Sequence, residues 1–180
     1  MSSRDLSKYN PSIYHPGKNA IVRGLWYFTN AFIFNNAWWQ YYGLKRALLR
    51  CFGAKIGRGV VIKPSVNIKY PWHLSIGDYS WIGENVWIDN LDDITIGANC
   101  CISQGALLLC GNHDYTKETF DLKSASIQIK DGAWIGAKAI VCPGVTIEED
   151  AVLTVNSVAS KNIPAHSVWQ GNPVVEKRKI

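Results

Sequence analysis

The chain has 180 residues, 47% of them apolar and 18% charged, with 15 glycines, 7 prolines, eight tryptophans and one methionine. That is enough for one domain with a real core, and it excludes a disordered tail, a collagen and a coiled coil. The net charge of +5 is uneven: residues 1–55 carry eight bases against Asp5 alone, and the other 125 carry 11 bases against 13 acids. No Asp or Glu lies between Asp5 and Asp78. The bases flank an aromatic stretch rather than follow a reading surface, which argues against a nucleic-acid partner.

Residues 1–20 are irregular in pattern, with turn signals at Asn10-Pro11 and His15-Pro16-Gly17. The polar N-terminus gives no secretory signal. Residues 21–52 are expected to be helical in one or two pieces. Residues 24–44 carry no charge, but Thr29, Asn30, Asn35, Asn36 and Gln40 make them too polar for a comfortable membrane span. Two roles stay open for residues 21–50. One is an interfacial helix, with Trp26, Trp38 and Trp39 beside Arg23, Lys45, Arg46 and Arg50; the other is a cap on the open end of a solenoid formed by the rest of the chain.

From Ile56 onward, apolar residues recur every six positions: 56, 62, 68; 76, 82, 88; 96, 102, 108; 129, 135, 141; 147, 153, 159. A period of six fits neither an amphipathic helix nor an alternating strand, and matches hexapeptide β-helix repeats. The aliphatic residue points inward, and the glycine that often follows is expected to permit the corner. About five stacked coils would share one core. The boundaries expected are an irregular and helical segment 1–55, a β-helix 56–170 and a tail 171–180. Residues 109–126, LCGNHDYTKETFDLKSAS, are too long for a corner and should leave the coil as a functional loop.

Five cysteines (Cys51, Cys100, Cys101, Cys110, Cys142) give an odd count without CxxC spacing, which fits reduced thiols in a cytoplasmic protein and no metal site. Of the four histidines only His113 lies in the long loop, next to Asp114. It is the candidate general base, and Asp114, Asp93, Glu118 or a backbone carbonyl would each serve to orient it. A Cys110–His113 pair acting through an acyl-enzyme is a competing possibility. The 20-residue offset between the second and third coils stacks Asp89 on Leu109 and Asn90 on Cys110, one strand spacing below the start of the loop.

Three groups of motifs carry a family resemblance. WIGAKAIVCPGVTI, SVASKNIP and GNP resemble the closing pattern of hexapeptide-repeat acyltransferases. ISQGALLLCGNHDYTKETFDL is similar to the histidine loop of their maltose/galactoside O-acetyltransferase branch. YHPGK, FGAKIG and KPSVNIKYPWHLSIGDYSWIGENVWIDN resemble the colanic-acid-type exopolysaccharide O-acetyltransferases. The resemblance implies an all-β fold, a left-handed parallel β-helix, assembled as a homotrimer. It implies acetyl-CoA as donor and a saccharide hydroxyl as acceptor; an activated thioester needs no covalent intermediate, so direct transfer is expected.

By motif position the resemblance puts Asp89 or Asn90, with Asp93 and Trp87, on the acceptor side. Trp134, Ala137, Val155, Ser160, Lys161 and Arg178 fall on the donor side. Glu148, Thr154 and Asn156 stand where the family has glycines, and Val175 where it has a lysine. The expected location is cytoplasmic, at the inner membrane surface if residues 21–50 bind lipid and the acceptor is lipid-linked. A catalytically inactive trimeric scaffold for a membrane-bound partner is the non-enzymatic alternative.

Overall fold

The structure is a computed structural model, and it describes residues 4–179. It is a parallel β-solenoid of about six turns preceded by a short helical segment. Each coil has three short strands, and each strand pairs in parallel with its counterpart in the next coil. Side one runs through Lys55–Ile56, Leu74–Ile76, Ile94–Ile96, Ile127–Ile129 and Thr146–Ile147. Side two starts at Val61–Ile62 and side three at Asn67–Ile68. The 20-residue offset appears as Ile62 opposite Ile82 and Ile68 opposite Ile88, the 18-residue offset as Ile129 opposite Ile147. The inward aliphatics form one buried column, with Ile62, Ile82, Ile102, Ile135 and Leu153 fully buried on side two.

Three expectations need adjustment. The solenoid does not stop at five coils: a partial sixth is built from Ile163, which bridges to Ile147, and Ser167–Gln170, which pairs with Val152–Leu153. The strand Val175–Lys179 then folds back antiparallel on it. The glycines after the inward aliphatics do not turn the corners. A Cβ on Gly77 or Gly136 would lie within 2.6 Å of the next coil's backbone, so these positions are bare because coils approach closely there. Left-handed backbone instead falls two residues later, at Tyr79, Asn85, Asn99, Lys138 and Asn156. Finally, residues 109–126 contain a hairpin, with Gly111–His113 antiparallel to Leu122–Ser124.

The N-terminal segment caps the first coil. Helix α1 (Ala20–Thr29) starts at Asn19, whose side chain accepts from the Val22 N–H, and continues as a wider turn through Phe34. Trp26 and Phe34 are buried against the coil, and Trp26 Nε1 donates to the Ile68 carbonyl at 2.9 Å. Helix α2 (Tyr42–Cys51) crosses the same end. Lys45 donates to the Ile62 and Lys63 carbonyls, Arg46 to Val60, and Arg50 to Ile56 and Gly57. Three of the eight bases in the N-terminal block are therefore donors for main-chain acceptors that no further coil covers. Burial pulls the Lys45 ammonium down to about 8. Among the described residues no helix is long and apolar enough to cross a membrane.

Candidate active site

His113 sits on the first strand of the hairpin, and a backbone carbonyl holds it. Its Nδ1 lies 2.8 Å from the Phe120 carbonyl oxygen. A carbonyl can only accept, so Nδ1 carries the proton and Nε2 keeps its lone pair whenever the ring is neutral. The imidazole stacks on the Phe120 ring at 4.3 Å and 2°, and Tyr9 meets it edge-on at 5.9 Å. Phe120 itself has φ of +49°, a left-handed backbone that is uncommon for an aromatic residue.

The other candidates for orienting His113 are engaged elsewhere. Asp114 pairs with Lys123 at 2.8 Å and accepts from Thr116, contacts that hold its carboxyl well below the usual range. Glu118 pairs with Lys8 at 2.6 Å. Asp93 pairs with His73 at 2.7 Å and lines a different cavity.

His113 opens onto a cavity of about 490 Å³ whose walls include Asp89, Lys69, Tyr70, Leu91, Asn112, Tyr9 and Tyr14. Asp89 is buried, and Lys69 Nζ lies 3.1 Å from its Oδ1 at an angle too bent for a hydrogen bond. That oxygen has an ionic neighbour and no aligned donor. Gly111 lets the chain pass here, since a Cβ would strike Leu91. The Tyr14 hydroxyl donates to the Leu91 carbonyl at 2.8 Å, and burial, with Tyr70 and Asp92 nearby, raises its pKa. Asn90 is fully buried, with its amide spent on both main-chain groups of Tyr70. Trp87 lines a neighbouring cavity beside α1. Of the four acceptor-side residues named from the sequence, only Asp89 shares the cavity with His113.

Cys110, three residues before His113, is fully buried, and its thiol is pushed up to about 12, chiefly by burial. A thiol so placed stays protonated near neutral pH and is a poor nucleophile. Among the described residues no group of three or more His, Cys, Asp or Glu side chains converges as a metal site.

Comparison with known proteins fits this architecture. The chain is 42% identical over 176 residues to the Escherichia coli protein WcaF, named for acetyl transfer in colanic acid biosynthesis, covering 98% of this chain and 97% of WcaF. The chain belongs to the hexapeptide-repeat acetyltransferase family. It is an acetyltransferase. No family model matches it. Among solved structures, a galactoside acetyltransferase in complex with coenzyme A superposes with TM-score 0.77 at 25% identity, over 89% of this chain and 81% of that one. A Vibrio cholerae hexapeptide-repeat acetyltransferase shares the fold, with TM-score 0.80 at 24% identity over 88% and 87%.

In this acetyltransferase the donor-side candidates divide into four places. Trp134 lies on side two and donates to Ser103 Oγ at 2.8 Å. Ala137 and Val155 stack at the corner after side two, where the Asn156 N–H donates to the Ala137 carbonyl. Ser160 and Lys161 belong to the next corner, past side three, and Lys161 Nζ lies 4.8 Å over the Trp169 ring. Arg178 is on the final strand, opposite Val168.

Sequence reasoning missed Tyr9, Tyr14, Lys69 and Tyr70. The 20-residue offset already stacks Lys69 under Asp89, so that pair was readable. The two N-terminal tyrosines carry no local pattern, because they reach the site by docking across the fold.

Proposed function

We propose that this acetyltransferase moves an acetyl group from acetyl-CoA to a saccharide hydroxyl, in exopolysaccharide assembly, with His113 as general base. One observation carries the reading: the Phe120 carbonyl fixes His113 with Nε2 unprotonated at the edge of a cavity that also holds an under-satisfied carboxylate. Nε2 takes the proton from the attacking hydroxyl as its oxygen bonds to the thioester carbonyl carbon. The carbon–sulfur bond breaks, and the imidazolium returns the proton to the departing thiolate. Backbone N–H groups near the hairpin serve the developing oxyanion. Asp89 accepts from a neighbouring hydroxyl, with Lys69 as its ionic neighbour. Transfer is direct, since the buried thiol of Cys110 offers no acyl carrier.

The active form in this reading is a homotrimer. The outward row of side one is polar: Lys55, Ser75, Thr95, Gln128 and Thr146. The outward rows of the other sides carry Trp81, Trp134 and Val152, and Leu107, Ile140 and Val158. Apolar rows of this kind ask for a partner. Acetyl-CoA then runs between subunits, past Trp134, Ala137 and Val155 of one chain, with Ser160, Lys161 and Arg178 toward its phosphates.

Residues 21–50 cap the solenoid, and we further propose that their outer surface touches the membrane. Ile21, Leu25, Phe28, Phe32 and Trp38 are exposed, Trp38 at 89%. Location is then cytoplasmic at the inner membrane surface, with a lipid-linked acceptor.

The test is release of CoA from acetyl-CoA with candidate saccharides. His113→Ala should keep the oligomer and lower turnover by roughly 10²–10⁴, the usual worth of a positioned base. Wild-type turnover in a folded variant would remove His113 from the mechanism. A protein that binds neither CoA nor any saccharide would be the scaffold instead.

A further inference from the structure

A second cavity of about 530 Å³ lies between α1 and the first two coils, and it shares Lys69 and Tyr70 with the histidine cavity. Its walls carry Arg23, Tyr27, Asn67 and Trp87, and no Asp or Glu. Arg23 Nε is buried there without a hydrogen-bond partner, and the guanidinium makes no ion pair among the described residues. Arg23 as a whole is half-buried, but a buried guanidinium nitrogen without a partner is costly unless something anionic meets it. Its flat, forked donor set matches phosphate oxygens, whereas Lys69 at the junction is already paired with Asp89.

We infer that the acceptor is a saccharide bearing a phosphate or diphosphate, with the sugar in the His113 cavity and the phosphate on Arg23 between Tyr27 and Trp87. This rests on the histidine cavity being the acceptor site. Lys69 and Tyr70 line both cavities, so the two adjoin across these side chains. The Arg23 cavity lies beside α1, where Tyr27, Phe28 and Phe32 are exposed, so an apolar tail beyond the phosphate would lie on that face. A soluble nucleotide sugar offers the same phosphate without the tail.

The experiment is calorimetric titration of the full-length protein with inorganic pyrophosphate, in saturating CoA so that the donor's own phosphate contacts are occupied. Wild type should bind, Arg23→Gln should weaken binding about tenfold or more, and Arg23→Lys should recover most of it. A thermal melt of each variant checks the fold. No binding to wild type, or equal binding to a folded Arg23→Gln, overturns the subsite. Geranyl diphosphate and uridine diphosphate then separate the sources: tighter geranyl binding marks a lipid-linked acceptor, tighter uridine binding a nucleotide sugar, and loss of either with Arg23→Gln supports the subsite. Acetyl transfer to free saccharide is followed in the same preparations. Transfer that needs His113 while pyrophosphate fails to bind sinks this inference alone. Arg23-dependent binding without any transfer supports the phosphate subsite and sinks the proposed activity.

Discussion

At His113 the deciding contact is one between a ring nitrogen and a main-chain oxygen. A carbonyl fixes the tautomer as firmly as a carboxylate would, without adding a negative charge beside the imidazole. The adjacent Asp114, a natural suspect in the sequence, is drawn away by Lys123 and Thr116 to shape the turn. Cys110 gives a clean test of direct transfer. Cys110→Ala should leave turnover within about threefold, because the thiol is buried and protonated. It should cost on the order of 1 kcal/mol of stability through the small cavity it leaves. Denaturant unfolding and initial rates measure both, and loss of activity with the fold intact would restore the acyl-enzyme.

Two elements frame the solenoid, and each makes its own prediction. In α2, the lowered Lys45 value means that the native state sheds a proton near pH 8 that the unfolded chain keeps until about 10.5. Unfolding therefore takes up a proton between those values, and stability from this site rises with pH across that window. Wild type should gain on the order of 1–3 kcal/mol over Lys45→Met between pH 8 and 10.5, read from urea unfolding at each pH. A flat difference would mean that the ammonium is well solvated by the carbonyls it caps. The N-terminal segment, by contrast, closes the site. The Asp5 N–H donates to the Glu118 carbonyl, Lys8 pairs with Glu118, and Tyr9 and Tyr14 wall the cavity. Removing residues 1–14 should raise the acceptor KM several-fold and leave CoA affinity unchanged, since the described contacts of Tyr9 and Tyr14 are with the walls of the His113 cavity. Equal losses for both substrates would make the segment merely structural.

The solenoid was legible because one inward aliphatic every sixth residue is a local rule repeated fifteen times, and His113 stood out because its loop broke that rule. The corner role expected of the glycines was wrong in mechanism: sequence reveals where a side chain is missing, but not whether a corner or a neighbouring coil forbids it. The basic N-terminal block shows only its charge in the sequence. Its role as donors to open carbonyls depends on α2 lying across coil one, a long-range fact with no periodic trace. The Phe120 carbonyl was similarly hidden, since every residue has one.

For the whole molecule, the unequal outward rows of the three sides set the expectation. Ile140→Asp on side three should shift the proposed trimer to monomer in sedimentation velocity and abolish transfer, while Thr95→Lys on polar side one should change neither. A monomeric wild type that transfers acetyl would reject the shared donor site. Membrane contact should resist salt more than the sequence charge suggests, because Lys45, Arg46 and Arg50 are already engaged with the coil. Anionic-vesicle co-sedimentation should persist largely at high salt and fall when Phe28 and Phe32 are replaced by serine. Binding that vanishes with salt alone would put the remaining surface bases in charge of it.

The capped first coil also bears on how long this object can be. Every coil is a template for the next, so an uncovered end would invite another copy to stack in register and the rod to lengthen without limit. Lys45, Arg46 and Arg50 occupy the acceptors at one end, and the returning strand Val175–Lys179 covers an edge of the last coil. Stripping either cover should turn a finite particle into a growing filament, so the stretches least like the repeat are those that let the repeat stop.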